Sequence, residues 1–164
     1  MKPVDTLTYL FSHNLWANLR ILERCAELTG EQLDGSITGT YGSIRDTLQH
    51  IVTAEQSYFS RISTGQRYPH PENAPPMTIA DMVEAVRTTG AGFIEWAPKI
   101  QAGDTVQIDW DGELRDVPKS VILTQVINHG TEHRAQIMAT MTQLGAEPPD
   151  LQSWQYFDEQ IKQN

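Results

Sequence analysis

Four stretches of this chain repeat apolar residues with the period of a helix, each roughly twenty residues long or more. A helix with one apolar stripe must bury that stripe against something, and four of them can bury theirs against one another. The first runs from about Thr6 to Leu28, with Asp5 placed to accept from the free amides of its first turn. Its stripe includes Leu7, Leu10, Phe11, Leu15, Leu19, Ile21, Leu22 and Cys25, and carries two polar members, Asn14 and Asn18. The second runs from about Ile44 to Ile62, opened by a capping box of Ser43 and Asp46 and stopped by Gly65. The third follows Thr78, which with Asp81 repeats the box, and continues towards Ile100. Gly90 and Gly92 weaken its middle, and Pro98 disturbs its last turn. The fourth begins near Pro118 or Lys119 and ends at Leu144, before Gly145.

Two irregular stretches separate these segments. Tyr68 to Met77 holds four prolines and reads as a loop crossing one end of the protein. Thr105 to Asp116 alternates Val106, Ile108 and Trp110 with polar residues and turns at Asp111-Gly112, a hairpin signal with a short second arm from Glu113 to Arg115. The expected fold is all-α: a four-helix bundle with a small β-hairpin between its third and fourth helices. No repeat or shift of composition divides it, so residues 1–164 read as one domain.

Charge narrows the partners. The chain has 12 Lys+Arg against 21 Asp+Glu, a formal net charge of −9, with the basic residues scattered. Such a surface repels phosphate backbones and anionic lipid, so neither nucleic acid nor membrane is an expected partner. The single cysteine, Cys25, cannot form an internal disulfide, which fits a reducing compartment. The residues from Met1 to Thr6 show no apolar stretch of a signal peptide, and no apolar run approaches the ~20 residues of a membrane span. A cytoplasmic location is expected.

The fourth segment carries the sharpest chemical signal, Asn128-His129-Gly130-Thr131-Glu132-His133-Arg134. At about 100° per residue the two histidines lie about 40° apart and one turn apart. Ile122, Val126, Ile137, Thr140 and Leu144 share that face, so both imidazoles belong to the core stripe. One inward histidine is ordinarily a satisfied core residue. Two inward imidazoles one turn apart suppress each other's protonation and need separate partners, and a shared metal ion removes both difficulties. Imidazole suits zinc, nickel, iron or copper.

A usable site needs a third protein ligand. The candidates are His13, His50, His70 and the acids. His70 lies in the proline-rich loop, and His13 falls on a flank of the first helix that reads as solvated. His50 lies about 100° or more from the centre of the stripe of Ile44, Leu48, Ile51, Tyr58 and Ile62, at the edge of the core. Spacing alone does not choose among them.

Three separated motifs do more. The run from Val126 to Ile137 with Leu144-Gly145 and the Pro148-Pro149-Asp150-Leu151 tail resembles the signature of the DinB/YfiT-like family. So do Leu15-Trp16-Ala17-Asn18 in the first helix and the run from Thr47 to Glu55, which contains His50, in the second. The resemblance spans essentially the whole chain. It implies a four-helix bundle, commonly dimeric, with one divalent metal ion held by three histidines, which fall here on His50, His129 and His133. Zinc or nickel are the first expectations for that ion, with iron or manganese also open.

Further polar residues flank this set. Gln136 sits about 20° from His129 and either contacts a metal-bound water or ties the helix to a neighbour; Glu132, about 60° away, either orients an imidazole, acts as a base, or is solvated. These two are the candidate catalytic residues. Arg134 reads as a surface or dimer contact, and the loops Tyr68–Met77 and Gly103–Val117 as the walls of a pocket. His129 to His133 also matches the H-x-x-E-H pattern of inverted zinc proteases, but only 31 residues follow His133, too few for their distant third ligand.

The resemblance thus implies a metal-dependent enzyme that activates water or a low-molecular-weight thiol, either a hydrolase or a thiol S-transferase acting on a small molecule. The alternative is a non-catalytic, metal-binding, dimeric stress-response protein. Cys25 sits among apolar neighbours as inert packing, so the nucleophile is expected to come from outside the chain.

Overall fold

A computed structural model describes residues 4–71 and 74–162; residues 72 and 73 of the proline-rich stretch and the chain ends lie outside the described residues. The order of elements is α1 (Thr6–Ala26), α2 (Gly30–Leu33), α3 (Ile44–Thr64), α4 (Ile79–Trp96), a short 3₁₀ turn (Ala97–Lys99), β1 (Thr105–Trp110), β2 (Glu113–Pro118), α5 (Lys119–Gln143) and α6 (Ser153–Lys162). The expected caps form as read. Asp5 accepts from the Thr8 amide, Ser43 and Asp46 close one reciprocal box, Thr78 and Asp81 close another, and Gly65 ends α3 in the left-handed conformation.

Two short helices escape the periodic reading. The four residues of α2 are too few to show a period, yet Thr29 and Gln32 form a complete capping box there. The tail beyond Pro149 folds as α6 and lies back on α1: Trp16 donates to Glu159 at 2.9 Å, and Arg20 pairs with the same carboxylate at 2.6 Å. His13, expected in solvent, is half-buried beneath this helix, with a ring nitrogen 2.9 Å from the Leu151 carbonyl.

α4 does not break at its glycines. A Cβ on Gly90 would stand 2.6 Å from Leu15 Cδ1, and one on Gly92 would overlap the Phe59 ring. The two glycines let α4 approach α1 and α3 closely, and this packing offsets their poor helix propensity. Pro98 acts as expected, since the helix gives way to the 3₁₀ turn at Ala97. The hairpin pairs Thr105 with Pro118 through to Trp110 with Glu113, so its second arm is as long as its first and leads straight into α5.

The four long helices form a ring in which α1 contacts α4 and α5, and α3 contacts the same two, leaving α1 and α3 diagonal. α3 and α4 run parallel, for Gln49 bonds the Met77 amide near their starts and Phe59 faces Gly92 near their ends. A parallel pair needs a return connection along its length. The described residues of the proline-rich loop accordingly lie beside α3, with His70 3.2 Å from the Thr53 carbonyl and the Met77 amide on Gln49, and not across an end of the bundle. None of the helices among the described residues is long and apolar enough to cross a membrane.

The apolar core falls into two clusters. One gathers Ile21, Leu22, Leu48, Ile51, Met82, Val86, Ile137 and Met141; the other gathers Phe11, Ile62, Phe93, Ile122 and Val126. On α1, α3 and α5 the buried residues between them include a polar set: Asn14 and Asn18, Glu55, and then His129, His133 and Arg134. This polar layer through the middle of the bundle is where the candidate chemistry lies.

Candidate metal centre

His129 and His133 project from successive turns of α5, each 8% exposed, and His50 reaches them from the facing edge of α3, half-buried. One ring nitrogen from each of the three lies within 4.8 Å of the others. The Nε2 atoms of His50 and His129 are 3.0 Å apart. Two nitrogens bound tetrahedrally to one ion at 2.0–2.1 Å stand about 3.3 Å apart, so a metal would open this pair slightly and draw the wider separations of the group inward. No Cys, Asp or Glu among the described residues joins the group.

The electrostatics suit the same use. Burial, then the neighbouring His133 and His50, bring the His129 imidazole down to about 4. Burial and His133 lower His50 as well. Neutral imidazole is the form that binds a metal, and here it is also the form the protein favours. His129 Nδ1 is buried without a hydrogen-bond partner. The donor set, three converging imidazole nitrogens, therefore fits a divalent metal ion.

Beside His50 is a cleft of about 380 Å³ lined by Tyr41, Gly42, Asp46, Gln49, His50 and Thr53. Tyr41 lies in the segment between α2 and α3 and stacks on His50 at 4.0 Å between ring centres, while the His133 ring stands nearly perpendicular to it at 5.5 Å between centres. Tyr58 stands edge-on to His129 at 5.9 Å. The proline-rich loop borders the cleft by holding Gln49 and Thr53. The hairpin does not reach it. Ile108 and Leu114 instead line a space with Arg61 and Arg67, at the far end of α3, so its expected part in the pocket is corrected.

Other sequence expectations divide. Gln136 is at the site: its amide oxygen lies 3.0 Å from His133 Nδ1 and 3.2 Å from the Tyr41 amide nitrogen. Glu132 is exposed and is not brought in, because the buried arc of α5 holds His129, Gly130, His133, Arg134 and Ile137 and leaves position 132 outside it. Arg134 is the larger correction. Only 4% exposed, it donates from Nη1 to Asn14 Oδ1 at 2.8 Å and Asn18 Oδ1 at 2.6 Å, while the amide nitrogens of both asparagines donate to Glu55 Oε1 at 2.9 and 2.8 Å.

Two asparagines thus bridge a buried guanidinium and a buried carboxylate across the diagonal of the bundle. Gly130 makes the room, since a Cβ there would stand 2.8 Å from Arg134 Nη1 and 3.2 Å from Asn14 Oδ1. Glu55 and Gly130 appear in the motifs quoted above, but nothing in their spacing gives them a role. Tyr41 was missed as well. Its only signal is an aromatic residue between Gly39 and Gly42, just before a helix cap.

Comparison with known proteins follows the same lines. The DinB family model matches residues 3–163. Protein DinB of Bacillus subtilis strain 168 is 27% identical over 145 residues, covering 83% of this chain and 84% of its own. Two solved structures share the fold. A DinB-like protein of Bacillus cereus superposes with a TM-score of 0.60 at 22% identity, over 85% of this chain and 91% of that one. A DinB-like protein of Bacillus subtilis does so with a TM-score of 0.63 at 16% identity, over 87% and 97%. The chain belongs to the DinB family.

Proposed function

We propose that His50, His129 and His133 hold one divalent metal ion, zinc or nickel before iron or manganese, at the centre of an enzyme site for a small molecule. The observation that carries this reading is the incomplete donor set: three converging nitrogens, no fourth His, Cys, Asp or Glu ligand among the described residues, and a cleft beside His50. Structural sites are closed by four protein ligands, whereas catalytic sites keep a position free. This weighs against a purely structural metal in a stress-response protein.

A divalent ion held there supplies Lewis-acid chemistry, lowering the pKa of water or a low-molecular-weight thiol at the free position. The chain provides the three nitrogens, and Tyr41 covers the His50 ring from the cleft side. It provides no reactive thiol of its own. Cys25 is fully buried and burial pushes its thiol up to about 12, so it is protonated at neutral pH. Hydrolysis or thiol S-transfer by an external nucleophile follows, in a cytoplasmic homodimer.

Elemental analysis of the purified protein, then assay with a thiol and an electrophile after restoring that metal, tests the reading. Cys25→Ala is expected to keep the activity. Activity that survives metal removal would exclude the mechanism. Sedimentation as a monomer at micromolar concentration would remove the dimer and leave the site reading intact.

A further inference from the structure

Gln136 joins two parts of the site that the metal reading leaves separate. A backbone N–H can only donate, so the Gln136 atom 3.2 Å from the Tyr41 nitrogen is its amide oxygen. The same oxygen lies 3.0 Å from His133 Nδ1, and an oxygen facing that ring nitrogen requires an N–H there. The Tyr41 backbone therefore selects the His133 tautomer: proton on Nδ1, lone pair on Nε2. A metal-binding histidine is commonly oriented through its second nitrogen in this way. On its other side Tyr41 lays its ring over His50 at 4.0 Å. One residue of the connecting segment thus reaches one candidate ligand through its backbone and another through its ring.

We propose that Gln136 is a positioning residue that couples metal binding at His133 to the seating of Tyr41 over the cleft. The coupling rests on the metal-site reading above. A metal ion on Nε2 commits Nδ1 to its proton, which strengthens the bond to the Gln136 oxygen and so holds that oxygen for the Tyr41 amide. By linkage, the seated segment favours the metal by the same factor. Gly39, with φ of +93°, and Gly42 flank Thr40 and Tyr41. Glu132, the other polar candidate on this helix, has no such position because it is exposed.

The test uses Co²⁺, whose visible absorption reports binding, together with backbone hydrogen exchange of residues 36–43 in the apo and Co²⁺-loaded protein. In the wild type Co²⁺ slows exchange in this segment, a comparison that requires no variant. Gln136→Leu weakens Co²⁺ binding by about 10–100-fold and abolishes the metal-dependent protection. Gln136→Glu restores both, because a carboxylate oxygen accepts from the same two N–H groups. Co²⁺ bound with no change in exchange, or Gln136→Leu binding Co²⁺ as the wild type does, or failure of Gln136→Glu to rescue, would each overturn the coupling alone. A wild type that binds no Co²⁺ would overturn the metal reading, and the coupling with it.

Discussion

Two polar groups lie buried in the middle of this bundle, and they are built on opposite plans. In the cluster of Asn14, Asn18, Glu55 and Arg134, donors face acceptors across three helices, and only Glu55 Oε2 is left without a partner. In the cluster of His50, His129 and His133, nitrogen faces nitrogen. The first arrangement satisfies itself and holds α1 to α3 and α5. The second leaves His129 Nδ1 without a partner and gathers three ring nitrogens at one point, a donor set that suits a cation. Burial of polar groups is common to both, so burial alone identifies neither; the pairing of donors with acceptors separates a structural cluster from a candidate site.

The sharpest way to break this comparison is to remove a candidate ligand. His133→Ala is expected to lower Co²⁺ affinity by more than about 100-fold, beyond the loss typical of an outer partner, while circular dichroism shows the helices retained. Unchanged metal uptake would put the two clusters in one class. The next largest effect belongs to the other side. Arg134→Leu strands Glu55 as a buried carboxylate without its counter-charge and is expected to cost about 3–5 kcal/mol in urea unfolding. A variant as stable as the wild type would show that the asparagine bridge contributes little.

Gly130→Ala comes third, and two effects compete. Alanine gains up to about 1 kcal/mol of helix propensity. Its methyl group would meet a guanidinium that is buried and held by two hydrogen bonds, so overpacking wins and the expected net loss is about 1–2 kcal/mol. A gain in stability would mean that the bridge shifts freely.

The smallest effect is the pH dependence of Glu55. Burial raises its pKa, against the asparagine bonds and Arg134, which lower it. A carboxyl raised in the folded state favours folding while protonated, and this contribution is lost as pH rises from its unfolded value through its raised folded one. Glu55→Gln keeps the oxygen that both asparagines use, so it is expected to flatten that slope at a cost of about 1 kcal/mol. An unchanged slope in urea unfolding across this range would place the titration elsewhere.

The candidate site was legible in part. His129 and His133 were readable as a pair because both sit on one helix, where a fixed rotation per residue converts spacing into direction. His50 came only with the family resemblance. Its angle put it at the edge of the α3 stripe, and whether an edge faces a neighbouring helix or solvent depends on how the helices pack. Arg134 shows the same limit in the other direction: a charged residue next to a candidate ligand reads as surface until two asparagines on another helix are found waiting for it.

The sequence by itself determined the four long helices, their caps and the inward direction of two imidazoles, because these depend on neighbours within about one turn. It also determined that the chain offers no reactive thiol, since the lone cysteine lies in an apolar stripe. Only the tertiary structure decided that α3 runs parallel to α4 and places His50 against α5. It alone decided that Gly90, Gly92 and Gly130 are points of close approach, not weak points. It alone set Tyr41 over the cleft, with its backbone amide on Gln136. These are contacts between residues far apart in the chain, and their energies depend on distances that no local pattern encodes.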